Sequence, residues 1–180
     1  MKRKLEKGEN INKFIESLLE KCQITQPPVD VKKIAEFLKI IVVERSYKDK
    51  GPLSGMLVRN QNKVIIGINE SHNDEKKRFS IAHEIAHYFL HEGEELIVDN
   101  NFLVNFRHKK TNPGEYHREK DANYFASCLL IPDKFLFNDL KTYQIHSLTA
   151  TKFEEISKDL HKKYNVSLIT MRLRIYSLFH

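Results

Sequence analysis

From about Asn73 to His91 the residues follow a helical pattern, with Ser71 or Asn73 available as cap and Gly93 just past the end. From Arg78 onward this helix reads RFSIAHEIAHYFLH, which places His83, Glu84 and His87 in an HExxH arrangement. Side chains four apart on a helix share a face, with Cβ atoms about 5 to 6 Å apart. Two imidazoles so placed can converge on one ion, with bonds of about 2.0 to 2.1 Å for zinc. Glu84, turned about 100° from His83, then lies beside the ion, where it can take a proton from activated water and hand it to a leaving amine. HEIAH by itself fits two ordinary helix histidines as well as it fits a metal site. A catalytic zinc, however, needs a third protein ligand and an open fourth position. Any fold that uses the motif must therefore seat a second element against this helix.

His91 continues the spacing of four, but it stands about 12 Å along the helix from His83 and cannot meet an ion held between His83 and His87. The metzincin pattern HExxHxxGxxH is absent as well. The better source is EKDANYFASCLLIP, Glu119 to Pro132, which reads as a helix from about Glu115 to Leu130 ended by Pro132. Glu119 and Asn123 lie four apart on one face, so Glu119 could bind the metal while Asn123 orients a ligating histidine. Asp121 is the alternative ligand; it projects about 200° around the helix from Glu119, has a shorter reach and is less favoured. Ala122, Phe125, Ala126 and Leu129 form the core-facing side. Arg107, His108, Tyr116 and His117 precede Glu119 and are candidates to contact substrate or a developing oxyanion, although each also reads as an ordinary surface residue.

Upstream, Ile11, Phe14, Ile15, Leu18, Leu19 and Cys22 make one apolar helical stripe, stopped by Pro27-Pro28. Asp30 can cap a second helix lined by Val31, Ile34, Ala35 and Leu38. Ile40 to Ser46 reads as a strand, and SGMLVRN and KVIIGIN as a hairpin around Asn60-Gln61-Asn62, whose exposed edge could take up an extended peptide. ELIVDNNFLVNFRHKK is a further β-rich passage and TNPGEY a turn signal. Two helices follow, about Ser147 to Tyr164 and Ser167 to Leu178, joined at Asn165-Val166 in the manner of a helix-turn-helix pair. The rival class is a non-catalytic DNA- or repressor-binding regulator, with Arg172 and Arg174 near the end of this pair as the candidate DNA contacts. The expected fold is α+β: a small, twisted, mainly antiparallel sheet beside a helical set, with the metal between the HEIAH helix and the Glu119 helix. Residues 1–180 are expected to form a single domain, with 147–180 as a helical pair packed on it.

A chain of 180 residues with 11 Phe and 7 Tyr can build a core without staples, so no metal is needed merely to hold it together. Cys22 and Cys128 are expected as buried free thiols. The net charge of +6 permits an anionic partner but contains no run of five like charges. No signal-type segment or membrane span is visible, which points to a soluble, cytoplasmic protein.

RFSIAHEIAHYFLH together with EKDANYFASCLLIP resembles the ImmA/IrrE family of bacterial zinc metallopeptidases, whose pattern runs RFtxAHExxHxxLH and then ExxANxFAxxLLxP. The likeness continues in PPVDVKKIAEFLKIIVVE, SGMLVRNQNKVIIGINE and LHKKYNVSLITMRLRIYSL, from about Val29 on; Asp133 to Thr149 carries little of it. The resemblance implies a zincin-like fold, one Zn²⁺ per chain on His83, His87 and Glu119, and Glu84 as general base. It further implies cleavage of a regulatory protein, typically a helix-turn-helix repressor encoded nearby, releasing prophage, mobile-element or stress genes. A toxin paired with a repressor-like antitoxin would use the same site on another target. Because ligating histidines must be neutral, metal affinity is expected to fall below about pH 6.5.

Overall fold

The computed structural model describes residues 10–46, 54–60, 63–91, 96–99, 113–143 and 149–179. Helix α1, Ile11–Lys21, starts where the Asn10 carboxamide accepts hydrogen bonds from the backbone N–H groups of Asn12 and Lys13, at 2.9 and 3.3 Å. It buries Phe14, Ile15, Leu18 and Leu19. Helix α2, Val31–Phe37, is capped in the same way by Asp30, which accepts from Lys33 N–H at 3.0 Å. The chain then enters strand β1, Ile40–Arg45, and the hairpin of β2, Gly55–Asn60, and β3, Lys63–Asn69.

In the sheet the order is β1-β3-β2-β4, with β4 spanning Leu96–Asp99. The β2–β3 and β2–β4 pairs are antiparallel, whereas β1 runs parallel to β3. Both hairpin strands are thus interior to the sheet. The exposed hairpin edge expected from the sequence is absent among the described residues; β1 and β4 are the edges. Leu57, Ile66 and Ile68 are fully buried, and helix α3, Asp74–Leu90, packs across β2 and β3.

Helix α4, Pro113–Leu130, packs more extensively on α3 than any other described helix does. It begins two residues before the expected Glu115, inside the TNPGEY stretch read as a turn, because proline suits the first helical position, where its missing N–H costs nothing. Phe14, Phe89 and Phe125 join α1, α3 and α4 in one aromatic cluster, with ring centroids 4.8 to 6.1 Å apart. A helix not expected from the sequence, α5, Asp133–Lys141, follows Pro132 and buries Phe135, Leu136 and Leu140.

Helix α6, Ala150–Tyr164, starts at Thr149, whose hydroxyl accepts from Lys152 N–H at 3.2 Å. It ends at Asn165, in the left-handed region at φ 51°. Ser167 caps helix α7, Leu168–Phe179, by accepting from Thr170 N–H at 3.1 Å. Two arginines tie this helical pair to the rest. Arg78 of α3 donates to the carbonyls of Val29, at 3.0 Å, and Asn165, at 3.1 Å. Arg174 of α7 is buried, ion-paired with Asp133 and donating to the Ile131 carbonyl at 3.1 Å. Arg172 pairs with Glu154. The two arginines offered as DNA contacts are therefore engaged within the chain. Cys22 and Cys128 are free and buried, and no helix among the described residues is long and apolar enough to cross a membrane.

Candidate metal centre

The Asn73 carboxamide accepts from Lys76 N–H at 2.9 Å and starts α3, while Asp74 and Glu75 favour its positive end. From Ser80 to His87 every residue of this helix is buried. His83, Glu84 and His87 are among them, with His83 and Glu84 fully enclosed. Polar groups at such depth need partners, and those of the two histidines converge on one point.

The His83 Nδ1 lies 3.1 Å from Asn123 Oδ1. That oxygen can only accept, so Nδ1 carries the proton and the lone pair of His83 is on Nε2. His83 Nε2 is 2.8 Å from His87 Nε2, and Glu119 places Oε2 3.2 Å from the first nitrogen and Oε1 3.3 Å from the second. An ion held tetrahedrally by bonds of about 2.0 to 2.1 Å keeps its ligand atoms about 3.3 Å apart. The two nitrogen–carboxylate separations match that spacing while the two nitrogens stand closer, and the donor set of two imidazoles and a carboxylate suits zinc. His83, His87 and Glu119 form a group that could hold a metal ion, their ligand atoms all within 4.8 Å of one another.

Burial, partly offset by the hydrogen bond to Glu119, lowers the His87 pKa to about 4. The ring is neutral at physiological pH, as a metal ligand must be, and its protonation falls well below the pH of 6.5 expected from the sequence. For Glu119, burial favours the neutral acid, but the two histidine rings at its oxygens outweigh it and hold the carboxyl well below the usual range. Within this unit His87 Nδ1 is buried with no hydrogen-bond partner among the described residues.

Glu84 lies against the start of β2. A Cβ built on Gly55 would stand 2.8 Å from Glu84 Oε1. This glycine was not singled out from the sequence, although a glycine inside a strand is a known sign of close approach. Arg59 was missed as well: its Nη2 donates to the His87 carbonyl at 2.8 Å and ties the sheet to the last turn of α3.

The other candidates lie apart. Asp121 is exposed and outside the convergent group. His91 is also outside it, with Nε2 3.2 Å from the Arg118 carbonyl. Tyr116 and His117 stack edge to face on the exposed early part of α4, with centroids 5.7 Å apart. Arg107 and His108 lie outside the described residues.

Comparison with known proteins bears on this group. A peptidase family model described as the IrrE N-terminal-like domain matches residues 37–176, a span containing the whole convergent set. The metallopeptidase ImmA of Bacillus subtilis (strain 168) is 33% identical over 112 residues, which is 59% of this chain and 57% of that protein. The chain thus matches a little over half of that relative's length. Among solved structures, a Mycobacterium tuberculosis transcriptional regulator superposes with a TM-score of 0.57 at 15% identity, over 89% of this chain and 44% of that one. That likeness is one of fold.

Proposed function

The chain belongs to the IrrE N-terminal-like family of metallopeptidases, and from that premise we propose that it is a zinc-dependent endopeptidase that cleaves a regulatory protein. The target we infer is a helix-turn-helix repressor of XRE type, cut in the cytoplasm so that prophage, mobile-element or stress genes are released. One observation carries the reading: His83, His87 and Glu119, brought from two helices, point three ligand atoms at a single position beside a buried glutamate. We take the architecture as zincin-like and residues 1–180 as one catalytic domain, with the helices of 147–180 packed on it.

In this reading His83, His87 and Glu119 hold one Zn²⁺. Zinc bound there would supply Lewis acidity toward a carbonyl and toward water near neutral pH. Asn123 fixes the tautomer of His83 and keeps its Nε2 lone pair turned inward. Arg59 holds the turn of α3 that carries His87. Glu84, buried beside Gly55, takes the proton of the attacking water and delivers it to the amine that leaves. An extended substrate segment would add to the outer edge of β4, the strand whose Asp99 pairs with Gly55.

The test is co-expression with helix-turn-helix repressors of the same genome, followed by mass spectrometry of each repressor. Wild type should yield two fragments meeting at one bond. Replacement of Glu84 by Gln should reduce their formation by about 100- to 10,000-fold. Repressors that all stay intact with wild type, or equal cleavage with Glu84→Gln, would remove the reading.

A further inference from the structure

His91 is left unused by this scheme, yet it bridges the two helices that form the centre. Its backbone N–H closes α3 on the His87 carbonyl at 3.2 Å, the carbonyl that Arg59 Nη2 also holds at 2.8 Å. The backbone of His91 is thereby fixed relative to His87. Its ring packs against the His87 ring, with centroids 5.1 Å apart, and Nε2 reaches across to the Arg118 carbonyl at 3.2 Å. A carbonyl can only accept, so Nε2 carries the proton in this contact.

Where the bond lands matters. Residues 114–118 of α4 are all exposed, and the buried side of the helix begins at Ala122. Glu119 sits at the boundary, its side chain 35% exposed. It follows directly on a stretch of helix whose side chains face solvent. The His91 bond fastens the residue just before it to the fixed end of α3.

We propose that His91 is a positioning residue for the metal centre: by donating Nε2–H to the Arg118 carbonyl, it holds the outer turns of α4 so that the Glu119 carboxylate stays in register with His83 and His87. The inference rests on the reading that these three side chains hold zinc. A histidine that served only to finish α3 would affect folding stability and leave zinc affinity alone.

Zinc affinity, measured by competition with a chromogenic chelator, separates the possibilities when wild type, His91→Leu, His91→Gln and His87→Ala are compared. Thermal melting of each metal-free form and the visible spectrum of each cobalt(II) form accompany it. His91→Leu should bind zinc about 10- to 100-fold more weakly, the range seen when a group that orients a ligand is lost, with metal-free melting unchanged. His91→Gln, whose amide can donate from nearly the same place, should recover most of the affinity and give the wild-type cobalt spectrum. Wild-type affinity in His91→Leu, or equal weakness in Leu and Gln variants, would overturn the positioning role. In both of those results a wild type that binds one zinc and a His87→Ala that does not would leave the metal centre itself standing. Failure of wild type to bind zinc would overturn both.

Discussion

Glu84 owes its place to an atom that is missing: any side chain at Gly55 would put a carbon 2.8 Å from its Oε1. Gly55→Ala is therefore expected to displace the carboxylate and lower turnover on a cleaved repressor by about tenfold or more, since small misplacements of catalytic groups are costly. Zinc content should stay at the wild-type level, because the atoms nearest a Cβ at Gly55 all belong to Glu84. Unchanged turnover in a folded Gly55→Ala would refute this. That His83 and His87 share a helix face, and Glu119 and Asn123 another, was legible from spacing, but HEIAH alone fitted two ordinary helix histidines equally well. Gly55 was not legible, because the group it accommodates lies 29 positions away and no local pattern joins them. Nor was the low His87 pKa, which is a consequence of burial.

Among the elements, the centre depends on how α3 and α4 are held side by side, and the Phe14–Phe89–Phe125 cluster lies at their junction with α1. Phe125→Ala should destabilise the fold by about 3 to 5 kcal/mol, as other large-to-small changes of a buried aromatic do, seen as a lower urea midpoint. A loss below about 1 kcal/mol would mean that the helices are registered by other contacts.

On the other side of α3, Glu44 of β1 joins Lys32 of α2 and Lys77 of α3 at 2.9 and 2.8 Å, and these hydrogen bonds lower its pKa to about 2. A depressed carboxyl stabilises the fold fully above its unfolded value, about 4.3, and loses that contribution as pH falls toward 2. Since the groups are partly exposed, the advantage of wild type over Glu44→Gln should be only about 0.5 to 1 kcal/mol at pH 7. It should shrink below pH 4.5 in urea titrations, and a difference independent of pH would contradict the assignment.

Most elements were readable because their caps and periods are local: Asp30 begins a helix as expected, Asn73 is the one of two candidate caps that begins α3, and the last helix starts at Ser167. Helix α5 escaped because it is 9 residues long and Pro132 gives it no side-chain cap. The parallel pairing of β1 with β3, which hides the hairpin edge, is a non-local choice that strand patterns do not encode.

At the scale of the whole molecule, the C-terminal helices are fixed to the body that carries the centre. Arg174 is enclosed on α7 against Asp133 and the Ile131 carbonyl, so Arg174→Met strands a partly buried carboxylate and should cost about 3 kcal/mol in chemical denaturation. A neutral or stabilising effect would mean that apolar packing serves there equally well. The central claim, that two helices of this fold build one zinc site from His83, His87 and Glu119, is tested most directly by metal content. Native mass spectrometry of wild type, His87→Ala and Glu119→Ala, each purified without chelator and given a small excess of zinc, reads it without any substrate. One zinc on each wild-type chain, weakened or lost in both variants, is the expected result. A folded wild type without zinc, or variants that retain it in full, would contradict the account.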